Sequence, residues 1–383
     1  MQYLTLDTVC DVLNGYAFKS KKYVSTGIRI IRINNVQDGY IEDKTPVFYP
    51  KEDEHVSKYR LLADDVLVSL TGNVGRVAII NDEYLPAALN QRVACLRVKN
   101  SKVLKKYLFY FLNSKKFRSD CISSANGIAQ KNISTKWLKK YKISIPSIEE
   151  QRKKVAILSK LESAIKKKNE QINKINLLAK ARFVEMFAQE QHVSKMSQAC
   201  FIITDGTHQS PEFVTKGIPF VFVSNLINNQ LIYDTQKFID ENTYNKLIKR
   251  TPIEKGDLLL SIVGSYGHVA VVKSNKKFLF QRHIAYIKVN PNLVDSEYLQ
   301  SELLDSYVQN QIRMEVHGVA QKTLNLSAVK NLTIKLPPLA SQKKFAFFKR
   351  HVDKSKVVNA SIMKYIISIR FYQYFDKNEG GAR

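Results

Sequence analysis

Cysteine is scarce in this sequence, and its residues are too scattered to form a metal site or a disulfide framework. They occur at Cys10, Cys95, Cys121 and Cys200, without a CxxC pair. Structural zinc sites need closely spaced Cys or His ligands, and the seven histidines contain no HxxxH pattern. The sequence therefore predicts neither a zinc site nor disulfide bonds, and we expect reduced thiols.

Long apolar segments are also absent. No run approaches the ~18–20 apolar residues of a membrane-spanning helix, and the first residues, MQYLTLDTVCDVLNGYAF, lack the basic and apolar segments of a secretory signal. Together with the unpaired cysteines, these absences predict a cytoplasmic location.

Several catalytic motifs are missing. The sequence has neither the glycine-rich cofactor loop nor the Asn-Pro-Pro-Tyr type of motif that a DNA-base methyltransferase needs. It also has no GxxxxGK[ST] loop for a nucleoside triphosphate. We therefore expect a chain without catalytic residues, metal ligands or a cofactor of its own. Because the carboxylate patterns of nucleases are degenerate, a stand-alone endonuclease with an unrecognised active site stays open as an alternative.

Acidic residues are too few to balance the basic ones. Asp and Glu number 34 against 60 Lys and Arg, which leaves a formal net charge of +26. Such an excess favours a polyanionic partner, with DNA or RNA ahead of a membrane surface. The alternative is that the protein is basic without having a specific nucleic-acid target. The length of 383 residues fits two domains with connecting segments.

What the sequence does contain is a repeat with a period of about 190 residues. Gly27-IRIIRINNV matches Gly217-IPFVFVSNL, and Asp65-VLVSLTGNVGRVAII matches Asp257-LLLSIVGSYGHVAVV. Later matches keep the same order: Gln91-Arg92 with Gln281-Arg282, Tyr107-LFYFLNS with Tyr298-LQSELLDS, Gly127-IAQKNIS with Gly318-VAQKTLN, and Ile143-SIPSIEEQ with Ile334-KLPPLASQ. A period this long predicts one domain duplicated once, because solenoid repeats are far shorter.

Each copy has the pattern of a mixed α/β domain. Runs of β-branched residues predict strands at 28–33, 66–70, 77–80 and 93–98. Apolar residues at helical spacing predict helices at 107–116 and 298–311. Strands followed by helices in the same unit favour an α/β fold over a barrel or a helical bundle.

A long amphipathic helix is predicted after each copy, over 149–190 and 340–376. Neither segment contains Gly or Pro, and the second follows a heptad pattern. We expect the two helices to pack as an antiparallel coiled coil, which would relate the copies by an approximate two-fold axis. The alternative is that each helix packs on its own domain. The expected seam residues, with the two asparagines setting the register, are Ile165, Asn169, Ile172, Asn359, Ile362 and Ile366.

These motifs together resemble one known family. The resemblance lies in Gly15-YAFKS with Gly27-IRIIRINNV, in Thr204-DGTHQSP with Gly217-IPFVFVSN, and in the twice-repeated order of the later matches. The chain is similar, over residues 1–376, to the specificity subunits of type I restriction-modification enzymes. The aromatic end of the second helix, Phe371-YQYF, and the Gly-Gly-Ala-Arg end of the tail depart from the family pattern.

The resemblance implies a non-catalytic DNA-binding subunit that recognises a split target. The expected organisation is a first target recognition domain (1–148), a first conserved helical region (149–190), a second target recognition domain (191–339), a second conserved helical region (340–376) and a tail (377–383). The family's helices dock two methyltransferase subunits and, when restriction occurs, restriction-translocase subunits. The S-adenosylmethionine, ATP and Mg²⁺ of the complex are expected on those partners.

Candidate DNA contacts fall in the loops. Arg92 and Arg282 belong to a Gln-Arg pair that recurs in both copies, and Arg can bind guanine through two hydrogen bonds. A pair kept in both copies fits a structural or phosphate-binding role better, because different half-sites need different side chains. Lys131 and Lys322 follow a glycine-containing loop and are expected to contact phosphate.

Side chains that differ between the copies are better candidates for specificity. In the glycine-rich turns these are Thr71, Asn73 and Arg76 in the first copy and Ser265, Tyr266 and His268 in the second, although ordinary turn chemistry also explains several of them. A DNA contact and a purely structural or solvated role are equally open for Lys19, Arg32, Asn34, Ser224 and Asn225.

Asp205 and His208 invite a catalytic interpretation, but the first copy has no matching pair. A turn stabilised by the Asp side chain is the expected role. A last alternative for the whole chain is a nucleic-acid-binding protein without sequence preference, which would bind random duplexes with equal affinity.

Overall fold

The structure, a computed structural model, describes residues 2–125, 131–318 and 322–372, the last ten of them as backbone only. The chain folds into two compact units. Unit 1 comprises Met1–Asn169 and Ala360–Arg383, and unit 2 comprises Glu170–Asn359. Within the described residues, no helix combines the length and apolar character that crossing a membrane requires.

Unit 1 contains strands and short helices that lead into one long helix. In chain order these are β1 (Gln2–Thr5), α1 (Leu6–Val9), β2 (Cys10–Asn14), β3 (Ile28–Ile31), β4 (Phe48–Tyr49), α2 (Glu54–Lys58), β5 (Val66–Ser69), β6 (Val77–Ile79), β7 (Ala87–Leu89), β8 (Val93–Val98), α3 (Lys105–Leu112), α4 (Lys115–Ser123), α5 (Thr135–Lys140), β9 (Lys142–Ile145) and the first part of α6 (Ile148–Phe187). A four-stranded antiparallel sheet has the order β2-β8-β5-β6, a three-stranded sheet has the order β4-β3-β7, and β1 pairs with β9.

The central strand β5 is buried on both faces of its sheet, which explains its uninterrupted apolar sequence. Val66 and Val68 face a core shared with α3, α4 and α5. Leu67 points to the opposite side and packs against the three-stranded sheet. Since side chains alternate along a strand, a strand with a core on each side needs apolar residues at every position.

Unit 2 repeats this order with one additional hairpin. After the end of α6 its elements are β10 (Val193–Lys195), α7 (Met196–Ala199), β11 (Cys200–Asp205), β12 (Ile218–Val221), the hairpin β13 (Leu226–Ile227) and β14 (Gln230–Leu231), β15 (Phe238–Ile239), α8 (Glu241–Leu247), β16 (Leu258–Ser261), β17 (Val269–Val271), β18 (Leu279–Phe280), β19 (Ile284–Val289), α9 (Ser296–Leu304), α10 (Ser306–Glu315), α11 (Leu326–Asn331), β20 (Thr333–Lys335) and α12 (Leu339–Tyr372). The strand orders β11-β19-β16-β17 and β15-β12-β18 match those of unit 1. The predicted duplication of a mixed α/β domain is confirmed.

The same buried aspartate begins the central strand in each unit. Asp65 Oδ2 accepts a hydrogen bond from Leu62 N (2.8 Å), and Asp257 Oδ2 accepts one from Glu254 N (2.8 Å). In unit 1, Arg97 pairs with Asp65, and this side-chain hydrogen bond raises the pKa of Arg97. In unit 2, burial raises the pKa of Asp257. The carboxylate closes the turn that feeds β5 or β16 into the sheet.

Both long helical patterns are helices, α6 and α12, and a buried glutamine fixes the start of each one. Gln151 accepts a hydrogen bond from Leu104 N and donates to the carbonyls of Lys102 and Pro146. Gln342, 191 residues later, accepts from Asp295 N and donates in the same way to Leu293 and Pro337. A buried amide with all of these partners is stabilising, whereas an unpaired one would be costly.

Within unit 2 the end of α6 packs against the start of α12. The rings of Phe183 and Phe187 lie 5.2 and 5.8 Å from that of Phe345. Both also contact Tyr298 of α9, at 5.7 and 4.9 Å. This aromatic cluster is fully enclosed in the core of unit 2.

The four cysteines are buried free thiols. Burial raises the pKa of Cys10, Cys121 and Cys200 to about 12, which keeps these thiols protonated and unreactive near neutral pH.

Candidate nucleic-acid interface

Five loops of unit 1 meet at one edge of its sheets, which we call the first edge. It is defined by residues 15–16, 32–35, 70–76, 90–92 and 131–132. Backbone hydrogen bonds tie the loops together: Gln91 N to Tyr16 O (3.0 Å), Asn90 N to Ile31 O (3.1 Å), Leu70 N to Arg92 O (3.0 Å) and Gly72 N to Lys131 O (2.8 Å). Side chains from distant parts of the sequence are therefore presented on one rigid support.

The second edge, in unit 2, is assembled by the same bonds. It is defined by residues 206–207, 222–225, 262–268, 281–283 and 322–323. The corresponding pairs are Arg282 N to Thr207 O (3.0 Å), Gln281 N to Val221 O (3.1 Å), Ile262 N to His283 O (3.0 Å) and Gly264 N to Lys322 O (2.9 Å). The two edges thus share a backbone frame and differ in the side chains mounted on it.

The glycine-rich turn is the centre of each edge. Gly72 and Gly75 have φ of 68° and 74°, a conformation that glycine adopts without strain. The Ser69 hydroxyl closes the turn by donating to Asn73 O (2.6 Å) and accepting from Arg76 N (2.9 Å). In unit 2, Ser261 accepts from His268 N in the same way (2.9 Å).

The predicted turn residues are presented outward to different degrees. Asn73, Ser265 and His268 are exposed, whereas Thr71 and Tyr266 are half-buried. Thr71 donates to the Asn132 side chain (3.2 Å), and the Lys322 ammonium lies 5.9 Å from the centre of the Tyr266 ring. The structure therefore brings each turn beside its predicted lysine loop. Most of the repeated Gly-Ile/Val-Ala-Gln-Lys motif itself, at 127–130 and 319–321, lies outside the described residues.

The Gln-Arg pairs occupy a β-turn that enters β8 or β19, and their alignment in the sequence was wrong by one residue. Val93 N bonds to Asn90 O (3.0 Å), and Ile284 N bonds to Gln281 O (3.1 Å). Gln91 therefore corresponds to Arg282. Arg92 in turn corresponds to His283, and the neighbouring segments agree with an offset of 191. The repeated Gln-Arg sequence is therefore coincidental, and it no longer favours a structural or phosphate-binding role over base recognition.

Arg32 and Arg76 use their guanidinium groups inside unit 1. Arg32 Nη2 donates to the carbonyl of Thr45 (3.0 Å), and Arg76 Nη1 donates to Gln37 Oε1 (2.8 Å). Both side chains are half-buried. They support the loops of the first edge, although each keeps part of its surface accessible.

The structure does not support Asn225 as a DNA contact. Its side chain is 6% exposed, accepts a hydrogen bond from Phe222 N, and donates to the carbonyls of Ile232 and Asp234. Asn35 occupies the same position in unit 1 and is equally buried. The exposed residues of this loop are the predicted Asn34 and Ser224.

Lys19 lies in a loop beside the first edge, and the Asp205–His208 segment runs from the end of β11 into the second edge. Lys19 is exposed and precedes the short 3-10 helix Ser20–Lys22. Asp205 binds Arg250 Nη2 (2.6 Å) and His208 Nε2 (2.8 Å). Asp205 thus holds Arg250 and His208 in place, and its turn-stabilising role stays a prediction.

Two candidate residues were missed in the sequence. Tyr16 stacks on His55 with a centroid distance of 4.1 Å, and its backbone binds Gln91. His283 lies beside Arg282, and burial followed by the Arg282 charge lowers its pKa. Its Nδ1 lies 3.1 Å from Gln281 Nε2 in the same turn, so Nε2 is the ring nitrogen available to an external partner. Only the correct alignment would have shown His283 as the partner of Arg92.

The proposed seam residues are only partly enclosed. Ile165 and Ile172 are half-buried, Asn169 is exposed and Ile362 is 39% exposed. The Asn359 amide donates to Ser355 O of its own helix (2.9 Å). Since the helices correspond at an offset of 191, Asn169 and Asn359 are not equivalent positions. The Ile366 side chain lies outside the described residues.

No metal centre accompanies these edges in the part of the chain that the structure describes. No group of three or more His, Cys, Asp or Glu side chains there is placed to hold a metal ion.

Comparison with protein families identifies one match that spans most of the chain. The model of the type I restriction modification DNA specificity domain matches residues 1–177 and 209–362. The chain is 22% identical over 383 aligned residues to the EcoBI type I specificity subunit of Escherichia coli, covering 88% of this chain and 76% of that protein. It is 26% identical over 376 aligned residues to a putative type I specificity subunit, MjaX, of Methanocaldococcus jannaschii, covering 89% and 84%.

Solved structures show a similar fold. The S subunit of a type I restriction-modification system from M. genitalium aligns with a TM-score of 0.53 at 14% identity, covering 96% of this chain and 93% of that one. A chain from structural work on complex assembly and conformational transition of the type I restriction-modification system aligns with a TM-score of 0.54 at 16% identity, covering 96% and 95%. At these identities the likeness concerns the fold alone.

Proposed function

The chain belongs to the type I restriction modification DNA specificity family, and from that premise we propose that each of its two units recognises one half of a split DNA target. It is a specificity subunit, not an enzyme. The first edge would contact one half-site and the second edge the other, with unspecified base pairs between them.

The observation that carries this proposal is that the two edges have the same backbone hydrogen bonds but different side chains at equivalent positions. Matching backbone hydrogen bonds hold Gln91 where unit 2 has Arg282, and Asn73 where it has Ser265. A conserved frame with variable side chains can place two different sets of donors and acceptors against DNA in the same geometry. Two unlike half-sites follow from two unlike edges.

The excess of basic residues supplies the affinity that is independent of sequence. The exposed Lys131 and Lys322 flank the glycine-rich turns and are suited to phosphate contacts. With the formal net charge of +26, they favour association with a polyanionic duplex.

We further propose that α6 and α12 form an antiparallel coiled coil that fixes the distance between half-sites. The packing in unit 2 supports this: Phe183 near the end of α6 contacts Phe345 near the start of α12. Earlier in α6, Asn176 lines the same cleft as Asp353 and Lys356, which lie later in α12. The two segments therefore run in opposite directions where they meet in this unit.

The remaining parts of the proposal concern assembly. We propose recognition domains at 1–148 and 191–339, with helical regions at 149–190 and 340–376 that dock two methyltransferase subunits and the restriction-translocase subunits. S-adenosylmethionine, ATP and Mg²⁺ would be bound by those partners. DNA is the substrate of the complex, so we propose that the chain acts in the cytoplasm.

The test is to map DNA methylation in a host that expresses this chain together with its methyltransferase subunit. We expect one motif with two specific half-sites separated by a fixed number of unspecified base pairs. The same host with the methyltransferase subunit alone should lack it. A continuous motif, or methylation that does not depend on this chain, would overturn the proposal.

A further inference from the structure

The β-turn that enters β8 in unit 1 and β19 in unit 2 presents an exposed side chain at its first central position, on a backbone fixed from three sides. In unit 1 its central residues are Gln91 and Arg92, and in unit 2 they are Arg282 and His283. Gln91 N is bound to the Tyr16 loop, Arg92 O to the glycine-rich turn, and the turn itself closes between Asn90 and Val93. The first central residue thus has a defined position and direction relative to the whole edge.

The exposed side chains of this turn differ from other arginines of unit 1 in having no bonding partner within the described chain. Arg32 and Arg76 bind acceptors of their own unit, as do Arg29 with Asp43 and Arg97 with Asp65. The side chains of Gln91 and Arg92, and of Arg282 in unit 2, are exposed and make no hydrogen bond or ion pair with any described part of the chain. Their donors and acceptors are available to an external ligand.

The chemistry at the first central position differs between the units in a way that suits base recognition. A Gln amide can accept from adenine N6 and donate to N7, whereas an Arg guanidinium donates two hydrogen bonds to guanine O6 and N7. Both Gln and Arg can also donate to a phosphate oxygen, but a phosphate contact carries no sequence information. A change of base preference on exchanging the two residues therefore distinguishes base recognition from phosphate binding.

Resting on the proposed function, we infer that Gln91 and Arg282 are equivalent specificity-determining residues, with Gln91 selecting adenine in one half-site and Arg282 selecting guanine in the other. The equivalence rests on the structural offset of 191, which the sequence match of the two Gln-Arg pairs conceals. Because the two backbones share the same hydrogen bonds, each residue fits the position of the other without a change of frame.

The experiment exchanges the residues one at a time. Wild-type chain, Gln91→Arg and Arg282→Gln are each co-expressed with the methyltransferase subunit, and methylated sites are mapped in a random-sequence plasmid library. Lys99→Gln, at an exposed lysine just past the end of β8 that lies opposite the turn, removes one positive charge away from both edges and from both long helices, and is the control. Circular dichroism melting of each variant checks that the fold is unchanged.

We expect Gln91→Arg to change one adenine of one half-site to guanine, with a preference shifted by about tenfold or more. Arg282→Gln should change one guanine to adenine in the other half-site, and the control should methylate the wild-type motif. A split wild-type motif that neither variant alters, or a uniform loss of methylation at all sites, overturns the inference alone. A wild-type chain that gives no split motif overturns the proposed function as well.

Discussion

Glu302 is a carboxyl group held in the core of unit 2. It lies on α9, where its Oε1 accepts a hydrogen bond from Lys335 N (2.8 Å) and its Oε2 accepts one from the Tyr298 hydroxyl (3.5 Å). Burial is the main cause that raises the pKa of Glu302 to about 7, against 4.5 when it is unperturbed. The folded protein therefore holds this proton more tightly than the unfolded chain does.

The pKa of Glu302 predicts a pH dependence of stability. The contribution of the bound proton is fully present below pH 4.5 and is lost as the pH rises through 7. Relative to Glu302→Gln, the free energy of unfolding of the wild type should fall by about 2 kcal/mol between pH 5 and pH 8. Urea unfolding of both proteins at the two pH values measures it, and parallel pH profiles would contradict a raised pKa.

Neighbouring asparagines show what a sequence can and cannot assign at this scale. Asn34 and Asn35 are chemically identical, yet the first is exposed and the second is buried with its amide bonded inside the fold. The loop candidates were located correctly, but Asn225 was wrongly counted among them. Which of two adjacent side chains points inward is set by a short 3-10 helix, Ile33–Asn35 in unit 1 and Val223–Asn225 in unit 2, and the sequence pattern does not show it.

The glycine-rich turn is the element on which each edge depends. Gly75 combines a φ of 74° with a position where an added Cβ would lie 2.7 Å from Cys121 Cβ. Gly39, also in unit 1, has a φ of 97° but no atom within 4 Å of an added Cβ. Substituting Gly75 introduces both backbone strain and steric overlap, whereas substituting Gly39 introduces backbone strain alone.

Gly75→Ala should destabilise unit 1 by about 2–4 kcal/mol, because strain and overpacking add. Gly39→Ala should cost about 1–2 kcal/mol from strain alone. Chemical unfolding of the two variants tests the difference. Equal losses would show that α4, which carries Cys121, moves away without cost.

The aromatic contact between the long helices should dominate the stability of unit 2. Phe345→Ala removes a fully buried ring from the cluster with Phe183 and Phe187, and should cost about 3–5 kcal/mol. Phe347, two residues away and 61% exposed, is the control, and Phe347→Ala should change stability by less than about 0.5 kcal/mol. Thermal unfolding measures both, and a Phe345→Ala variant as stable as the control would refute the packing.

Local sequence patterns predicted many of the helices and strands, but they did not predict which strands pair across long stretches of chain. Continuous apolar runs identified β5 and β8, helical spacing of apolar residues identified α6, and a heptad pattern identified α12. The pairing of β1 with β9 joins Gln2 to Ile145, and β3 runs parallel to β7. Such pairings join segments far apart in the chain, so no periodicity indicates them. The misalignment of the two Gln-Arg pairs arose in a similar way. Two identical residues were matched at an offset of 190, although the segments around them correspond at 191.

At the scale of the whole molecule, the charge predicts a strong dependence of DNA binding on salt. If about 6–10 phosphates are contacted, the affinity should fall roughly 10³–10⁵-fold between 50 and 200 mM salt. The measurement is DNA binding by the chain with its methyltransferase subunit over a salt series. An affinity that hardly changes with salt would contradict phosphate contacts as a main source of binding.

We propose that two unlike units recognise two half-sites at a distance set by the long helices. One heptad inserted in each helix, after Asn169 and after Asn359, adds about 10.5 Å to each at 1.5 Å per residue. That length corresponds to about three base pairs at 3.4 Å each.

Methylation mapping of this double-insertion variant tests the claim most directly. We predict that both half-sites keep their sequences while the unspecified spacer between them lengthens by about three base pairs. An active variant that methylates the wild-type motif with its original spacer would show that the helices do not set the distance between the half-sites.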